Sequence, residues 1–424
     1  MLELWSPFQR KNNPVTVSQL QYKDIKGLEK LELDEGFRIS YKIDFESAKE
    51  DLGKYISSFA NTDGGWIFFG VDKEPVKIVN MPKEKKDYNQ IITTLLKSQC
   101  GDNIPQFETK FVKDPKDSSV GVLALYCYKD VNPPYLYKGK VYTRNGSSSE
   151  PEEINSRLLL DNLYKRKEFY DKDFEEFCVR SVFVPTFGRN NYEAKQHIPM
   201  LNIYIKLNSF NFIGKYLKDI KNIAETYVSE NSGFNYYTIS MNSIVFQNSL
   251  VDFAAGNSTC TAELFFDGSL KVHMPLLIRN QNYKRDIINK LPKNLYDYNL
   301  YKIFEGQETS SIVHTILNYY FNFLNKKKIL INNSKIKIDY TDIENSIMVF
   351  DNKKFYTKLK TEPLRINFKQ QQSSKYELDE LLHGINRKDW VNFIVSEFLF
   401  MAFGYMPFEK IDVLKLEEID KENY

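Results

Sequence analysis

Histidine is scarce in this 424-residue chain. There are four, His197, His273, His314 and His383, and none lies in the first 170 residues. A Ser-His-Asp or Cys-His catalytic group is therefore excluded from the N-terminal part. No two histidines stand at HxxxH or HExxH spacing, which excludes the zinc-protease pattern. Cysteine is equally sparse: Cys100, Cys127, Cys178 and Cys260 form no CxxC pair. They offer neither a zinc motif nor a disulfide framework, and buried thiols in a reducing, cytoplasmic setting are expected. Long apolar runs are missing. Val120–Tyr128 and Phe398–Met406 fall short of the roughly 20 residues of a membrane span. The start, with Glu3 and Pro7, has no signal-peptide pattern, so no membrane partner is expected. Neither GxxxxGK[ST] nor GxGxxG occurs, so there is no nucleotide-cofactor motif. Charge of one sign is missing too: 58 Lys+Arg face 56 Asp+Glu, a formal net charge of +2. That excludes gripping nucleic acid by bulk charge and leaves only a local patch.

What is present is an ordinary globular composition, 42% apolar and 27% charged, long enough for two or three domains at about 150 residues each. Phe37–Phe45 alternates with period 2 and predicts a strand, with Phe37, Ile39, Tyr41, Ile43 and Phe45 on one face. The period then changes. Phe45, Ala48, Leu52, Ile56 and Phe59 predict an amphipathic helix over Glu46–Ala60. Trp66–Val71 reads as a strand buried on both faces. Tyr88–Leu96 reads as a helix, Phe107–Val112, Val120–Tyr128 and Val141–Arg144 as strands, and Glu152–Phe169 as a helix closing the unit. Further on, Ile198–Leu207, Thr259–Phe266 and Leu270–Pro275 read as strands. Phe212–Tyr227, Ser310–Leu324 and Asp389–Phe403 read as helices. The expectation is an α+β protein with an N-terminal domain over 1–168 and a C-terminal α+β domain over 169–424. Aromatic residues reach 15%. Tyr135, Tyr137 and Tyr142 are candidates for stacking on unpaired bases, against a general expectation of packing.

The most distinctive stretch is Phe59-Ala-Asn61-Thr-Asp-Gly64-Gly65, followed by the apolar Trp66–Phe69 and then Gly70-Val71-Asp72. Asn61, Gly64 and Gly65 are expected to make a tight helix-to-strand turn. Upstream stands Glu35-Gly-Phe-Arg-Ile-Ser40-Tyr41-Lys42; downstream stand Pro133-Pro134-Tyr135 and Tyr142-Thr-Arg144-Asn-Gly146-Ser147-Ser148. These pieces, in this order over about residues 25–165, resemble the AlbA-2, or Schlafen-like, nucleic-acid-binding domain. Its hallmark is a phrase close to AFANTxGGxxxxGV, flanked by ExxxxEFK and YxRxGS elements.

The resemblance implies a nucleic-acid-acting protein, with RNA or single-stranded DNA as partner. Members of the Schlafen group cleave RNA, chiefly transfer RNA, with three carboxylates around a divalent metal. Carried over by motif, Glu35 and Asp72 would be the catalytic and metal-binding carboxylates, holding Mg²⁺ or Mn²⁺. The second carboxylate position falls on Ser40, a weaker ligand. Asp44 lies on the same strand face, about 13 Å further along. Lys42, Arg144 and Ser147 would hold the nucleic-acid backbone. The implied roles are a metal-dependent RNA endonuclease of stress or phage defence, a non-catalytic binding or regulatory module, or an interaction subunit. The C-terminal domain, as one unit or two subdomains, would sense a ligand, engage a protein partner or form a homo-oligomer.

Overall fold

A computed structural model gives the α+β architecture. It describes residues 2–3, 5–10, 13–31, 33–145, 150–179, 199–210, 213–214, 216–229, 234–247, 260–276, 278, 281–292, 298–327, 329, 331, 333–361, 364–382, 385–386, 389–395 and 403. The chain forms two compact units, Met1–Glu176 and Phe177–Tyr424.

The first unit is a twisted sheet with helices on both faces. Its elements are α1 (Tyr22–Leu31), β1 (Ile39–Lys42), α2 (Leu52–Asn61), β2 (Gly65–Phe69), β3 (Val71–Lys73), β4 (Val76–Ile78), β5 (Met81–Pro82), α3 (Tyr88–Cys100), β6 (Phe107–Lys113), β7 (Val120–Cys127), β8 (Leu136–Tyr137), β9 (Lys140–Thr143), β10 (Glu152–Glu153) and α4 (Arg157–Val179). Strand β1 runs parallel to β2, β2 pairs antiparallel with β7, and β7 also pairs with β5 and β6. The continuous run Trp66–Phe69 is explained by two cores. Ile67 and Phe69 pack with Leu52, Ile56, Phe59, Ile92 and Leu96 on the α2–α3 side. Trp66 and Phe68 pack with Ile25, Leu28, Ile39 and Tyr41 on the α1 side.

Three boundaries differ from expectation, each for a local reason. Strand β1 stops at Lys42, so Phe45 crosses to the α2–α3 core and Ile43 is left 57% exposed. The single apolar face expected over Phe37–Phe45 is thus split. Helix α2 starts at Leu52, not Glu46. The side-chain amide of Gln99 donates to the carbonyls of Lys49 (2.7 Å) and Glu50 (3.1 Å) and accepts from the N–H of Gly53 (2.7 Å). It thereby replaces the backbone bonds of one more helical turn. Asp44 also accepts from the N–H of Ser47 at 2.7 Å, a local bond that competes with helix. Helix α4 starts late because Glu152 and Glu153 pair with Thr143 and Tyr142 as strand β10.

The second unit contains β11 (Met200–Lys206), α5 (Leu217–Ser229), β12 (Tyr236–Ile239), β13 (Ser243–Gln247), β14 (Thr261–Phe265), β15 (Leu270–Pro275), α6 (Gln281–Lys290), β16 (Lys302–Glu305), α7 (Gly306–Lys327), β17 (Lys335–Thr341), β18 (Ser346–Val349), α8 (Lys353–Lys358) and β19 (Gln371–Glu377). Seven strands form one antiparallel sheet in the order β12-β13-β14-β15-β11-β17-β19. One face packs Ile203, Phe246, Leu264, Val272 and Ile338 against Ala224 and Tyr227 of α5 and Ile316, Leu317 and Tyr320 of α7. Helix α7 begins four residues before the expected Ser310, where Thr309 and Ser310 hydroxyls bond back to the carbonyls of Glu305 and Gly306. Of the helix expected over Asp389–Phe403, Trp390–Ile394 is helical, and residues 396–402 lie outside the described residues. Among the described residues no helix is long and apolar enough to cross a membrane.

The other face of this sheet is polar. One cross-strand row runs Gln247, Thr261, His273, Asn202, Asp339. Burial, aided by the repulsion of Lys271, pushes His273 down to about 4, and its Nε2 is buried without a hydrogen-bond partner among the described residues. Tyr204 packs edge-on against the ring at 5.8 Å. The folded pKa lies below the ordinary value, so the neutral ring supports the fold fully above about pH 6.5 and that support is lost as pH falls towards 4. The loss amounts to about 3 kcal/mol by pH 4. In acid titrations followed by circular dichroism, His273→Phe is expected to flatten the slope between pH 6.5 and 4 relative to wild type.

Candidate nucleic-acid interface

The turn after α2 organises the first unit. Gly64 has φ +72°, and its N–H closes back onto the carbonyl of Phe59 at 2.9 Å. A Cβ there would stand 2.8 Å from the Cys127 carbonyl oxygen. At Gly65 a Cβ would fall 2.2 Å from the Phe59 ring and 2.8 Å from the Arg38 carbonyl oxygen. Both glycines are required by close backbone approach. Asn61 is 1% exposed. Its Nδ2 donates to the carbonyls of Tyr135 (2.9 Å) and Tyr142 (2.8 Å), and its Oδ1 accepts from the N–H of Tyr135 (2.7 Å). One side chain thus ties α2 to both arms of the β8–β9 hairpin.

Arg166 of α4 completes this hub. Its guanidinium donates to the carbonyls of Ala60 (3.1 Å), Asn61 (2.6 Å) and Asp130 (2.9 Å). A cation at these carbonyls complements the C-terminal end of α2. The basic run Lys165-Arg166-Lys167 reads in sequence as a complement to the end of its own helix. In the fold Arg166 serves a different one.

Glu35 sits just before a tight reversal in which the N–H of Gly36 donates to the carbonyl of Ile39. Its side chain is only 6% exposed. Oε1 accepts from the Ser40 hydroxyl at 2.8 Å and from the N–H of Tyr41 at 2.7 Å. Two ammonium groups approach the same carboxylate: Lys42 Nζ at 4.0 Å and Lys73 Nζ at 3.8 Å. Lys42 also lies 4.1 Å from the centre of the Tyr55 ring, a cation–π contact. The Tyr55 hydroxyl donates to Glu150 at 2.8 Å. Burial, with Glu150 beside it, pushes the Tyr55 phenol above its ordinary value. Burial lowers Lys42, and the Glu35 carboxylate opposes this.

Arg144, expected at a phosphate, is only 3% exposed. Its guanidinium donates to the carbonyl of Gly36 at 2.6 Å and lies 4.4 Å from the centre of the Phe59 ring. Its N–H donates to the Thr62 hydroxyl at 2.9 Å. It braces the reversal that carries Glu35, from inside. Burial pushes its pKa down, opposed by Glu35 and Glu150. Ser147 lies outside the described residues. Asp72, half-buried on β3, accepts from the N–H of Lys73 at 2.8 Å, and among the described residues it is gathered with Glu35 in no metal-ligand set. Asp44 bonds to Ser47.

Among the described residues, no three His, Cys, Asp or Glu side chains gather as a metal-ligand set. Mg²⁺ and Mn²⁺ take several oxygen ligands. Here the one nearly buried carboxylate is met by a hydroxyl, a backbone N–H and two ammonium groups. These residues do not fit a resident divalent metal.

Of the tyrosines singled out for stacking, Tyr135 and Tyr137 are buried at 4% and 5%, so packing accounts for them. Tyr142 is half-buried, edge-on to Tyr137, and lies under the ammonium of Lys54 at 5.4 Å. Lys138 lies over Tyr137 at 4.9 Å. Lys54 of α2 and Lys138 of the β8–β9 hairpin thus flank a pair of tyrosines, of which Tyr142 alone is half-buried and Tyr137 is buried.

Sequence reasoning did not find Lys73, Tyr55, Glu150 or Arg166. Lys73 had a signal in its place directly after Asp72. The others become visible only once distant strands and helices are paired. Residues 35–153 match the family model described as Schlafen, AlbA_2, within the span of about 25–165 that the motifs delimit. The N-terminal unit thus carries a Schlafen, AlbA_2 domain, which links it to nucleic-acid-related function.

Proposed function

We propose that the N-terminal unit binds single-stranded RNA or DNA and does not cut it with a metal. The engagement of Glu35 by Ser40, the Tyr41 N–H, Lys42 and Lys73 carries this reading. A carboxylate in that setting is an ion-pair partner and not an open metal ligand. The half-buried Tyr142, with the Lys54 ammonium over its ring, supports the choice of a single strand, whose exposed bases and phosphates an aromatic ring beside a cation suits.

The test is fluorescence anisotropy with labelled single-stranded RNA, single-stranded DNA and transfer RNA at rising salt, beside a cleavage assay with Mg²⁺ or Mn²⁺. Binding is expected to weaken with salt, by about 0.7 in log–log slope for each phosphate contacted. Cleavage is expected in none of the three. Cleavage by wild type that disappears in Glu35→Gln and Asp72→Ala would establish the metal-dependent nuclease instead.

A further inference from the structure

We propose that Lys42 and Lys73 form a metal-free clamp for one backbone phosphate, with the Glu35 carboxylate as its built-in counter-ion. This rests on the nucleic-acid reading above and assigns the chemistry at its centre.

The two ammonium groups converge on a single carboxylate, at 4.0 Å and 3.8 Å. At those distances the attraction is Coulombic, and neither lysine makes a hydrogen bond to Glu35. Each ammonium carries three N–H donors, so both retain donors for a second anion. Glu35 is held back from competing for them at close range. Its Oε1 already accepts from the Ser40 hydroxyl and the Tyr41 N–H, which fixes the carboxylate beneath the lysines.

Lys42 is positioned before any ligand arrives. The Tyr55 ring stands against its ammonium at 4.1 Å, and Tyr55 is in turn fixed by Glu150. Lys73 reaches in from β3 with its side chain 52% exposed, which leaves the clamp open on one side. Arg144 braces the Glu35 reversal through the Gly36 carbonyl. Among the described residues, the charges that act on Lys42 include the carboxylates of Glu35 and Glu150 and the cations of Lys73 and Arg144. With Lys42 itself, this set of described residues holds three cations to two carboxylates, an excess of one positive charge, and a phosphodiester carries one negative charge. A divalent cation would add to the positive excess, whereas a phosphate removes it.

The proposal makes Glu35 a restraint on binding, the opposite of what a metal ligand would be. Anisotropy with a 5′-hydroxyl single-stranded RNA is measured for wild type, Glu35→Gln, Lys42→Ala and Lys73→Ala, in EDTA and in Mg²⁺. Glutamine keeps acceptor and shape, so the fold is retained, as circular dichroism would check. Wild type is expected to bind fully in EDTA and somewhat less in Mg²⁺. Glu35→Gln is expected to bind several-fold tighter. Each lysine variant is expected to bind about 10-fold weaker, and a chain carrying both Lys42→Ala and Lys73→Ala to lose about 0.7 in salt slope, the share of one phosphate.

Loss of binding in EDTA, weaker binding by Glu35→Gln, or Mn²⁺ uptake by calorimetry that requires Glu35 would each overturn the clamp. Binding of inorganic phosphate by calorimetry that requires Lys42 and Lys73, with no binding of the 5′-hydroxyl strand, would assign the site to free phosphate and overturn the backbone assignment. Lysine variants that bind RNA as well as wild type would sink the clamp and leave the nucleic-acid reading standing. A wild type that binds none of the oligonucleotides sinks that reading itself.

Discussion

Arg166→Ala is expected to lower the stability of the N-terminal unit by about 4 kcal/mol. The guanidinium makes three charge-assisted hydrogen bonds, at 2.6, 2.9 and 3.1 Å, to carbonyls on two separate segments. Bonds to a charged partner are worth about 1.5–3 kcal/mol each, and the carbonyl of Ala60 keeps a second partner in the N–H of Asp130 at 3.2 Å. The effect is therefore less than a simple sum. Arg166→Lys should recover little of it, because an ammonium cannot reproduce the planar fork that spans Asn61 and Asp130. Because the chain divides into two compact units, the readout is local: hydrogen exchange at the amides of α2 and β2, where protection should fall in both variants. Protection in β11–β19 of the second unit should stay as in wild type.

Asn61→Asp is expected to cost about 4–5 kcal/mol near neutral pH, more than the roughly 3 kcal/mol of Asn61→Ala. The replacement is nearly isosteric. It retains the acceptor for the Tyr135 N–H, but sets an oxygen where Nδ2 now faces the carbonyls of Tyr135 and Tyr142. At 1% exposure an ionised carboxyl is desolvated and repelled at once. Its folded pKa is therefore raised above the unfolded value. Destabilisation is then greatest above the folded pKa and shrinks as pH falls through it towards the unfolded one. Urea unfolding at several pH values checks this. The gap between Asn61→Asp and wild type should narrow on acidification, while that for Asn61→Ala should stay level.

Much of the first unit is legible in sequence, because its signals are local. The all-apolar Trp66–Phe69 announces a strand between two cores, and FANTDGG announces the turn that follows a helix. What escapes has a long-range cause. The start of α2 is set by Gln99, which lies 46 residues from Gly53. The exposure of Ile43 follows from where pairing with β2 stops. The candidate site divides in the same way. Glu35, Lys42 and Asp72 stand out by motif, and the absence of the second carboxylate is visible at Ser40. That Ser40 would be a hydrogen-bond donor to Glu35, or that Arg144 would turn inward, depends on how the reversal at Gly36–Ile39 meets the guanidinium that lies against the Phe59 ring. No periodicity encodes such a contact.

The Arg166 clamp also bears on synthesis. Ala60 and Arg166 are 106 residues apart in sequence. At the roughly 5–20 residues per second of translation, the carbonyls closing α2 wait about 5–20 s for their guanidinium. Residue 153 ends the span that matches the family, and Arg166 lies beyond it. A fragment cut at that border would hold the whole motif and still lack the side chain that locks it. The folding border of the domain is therefore set by α4, downstream of the border that its sequence signature draws.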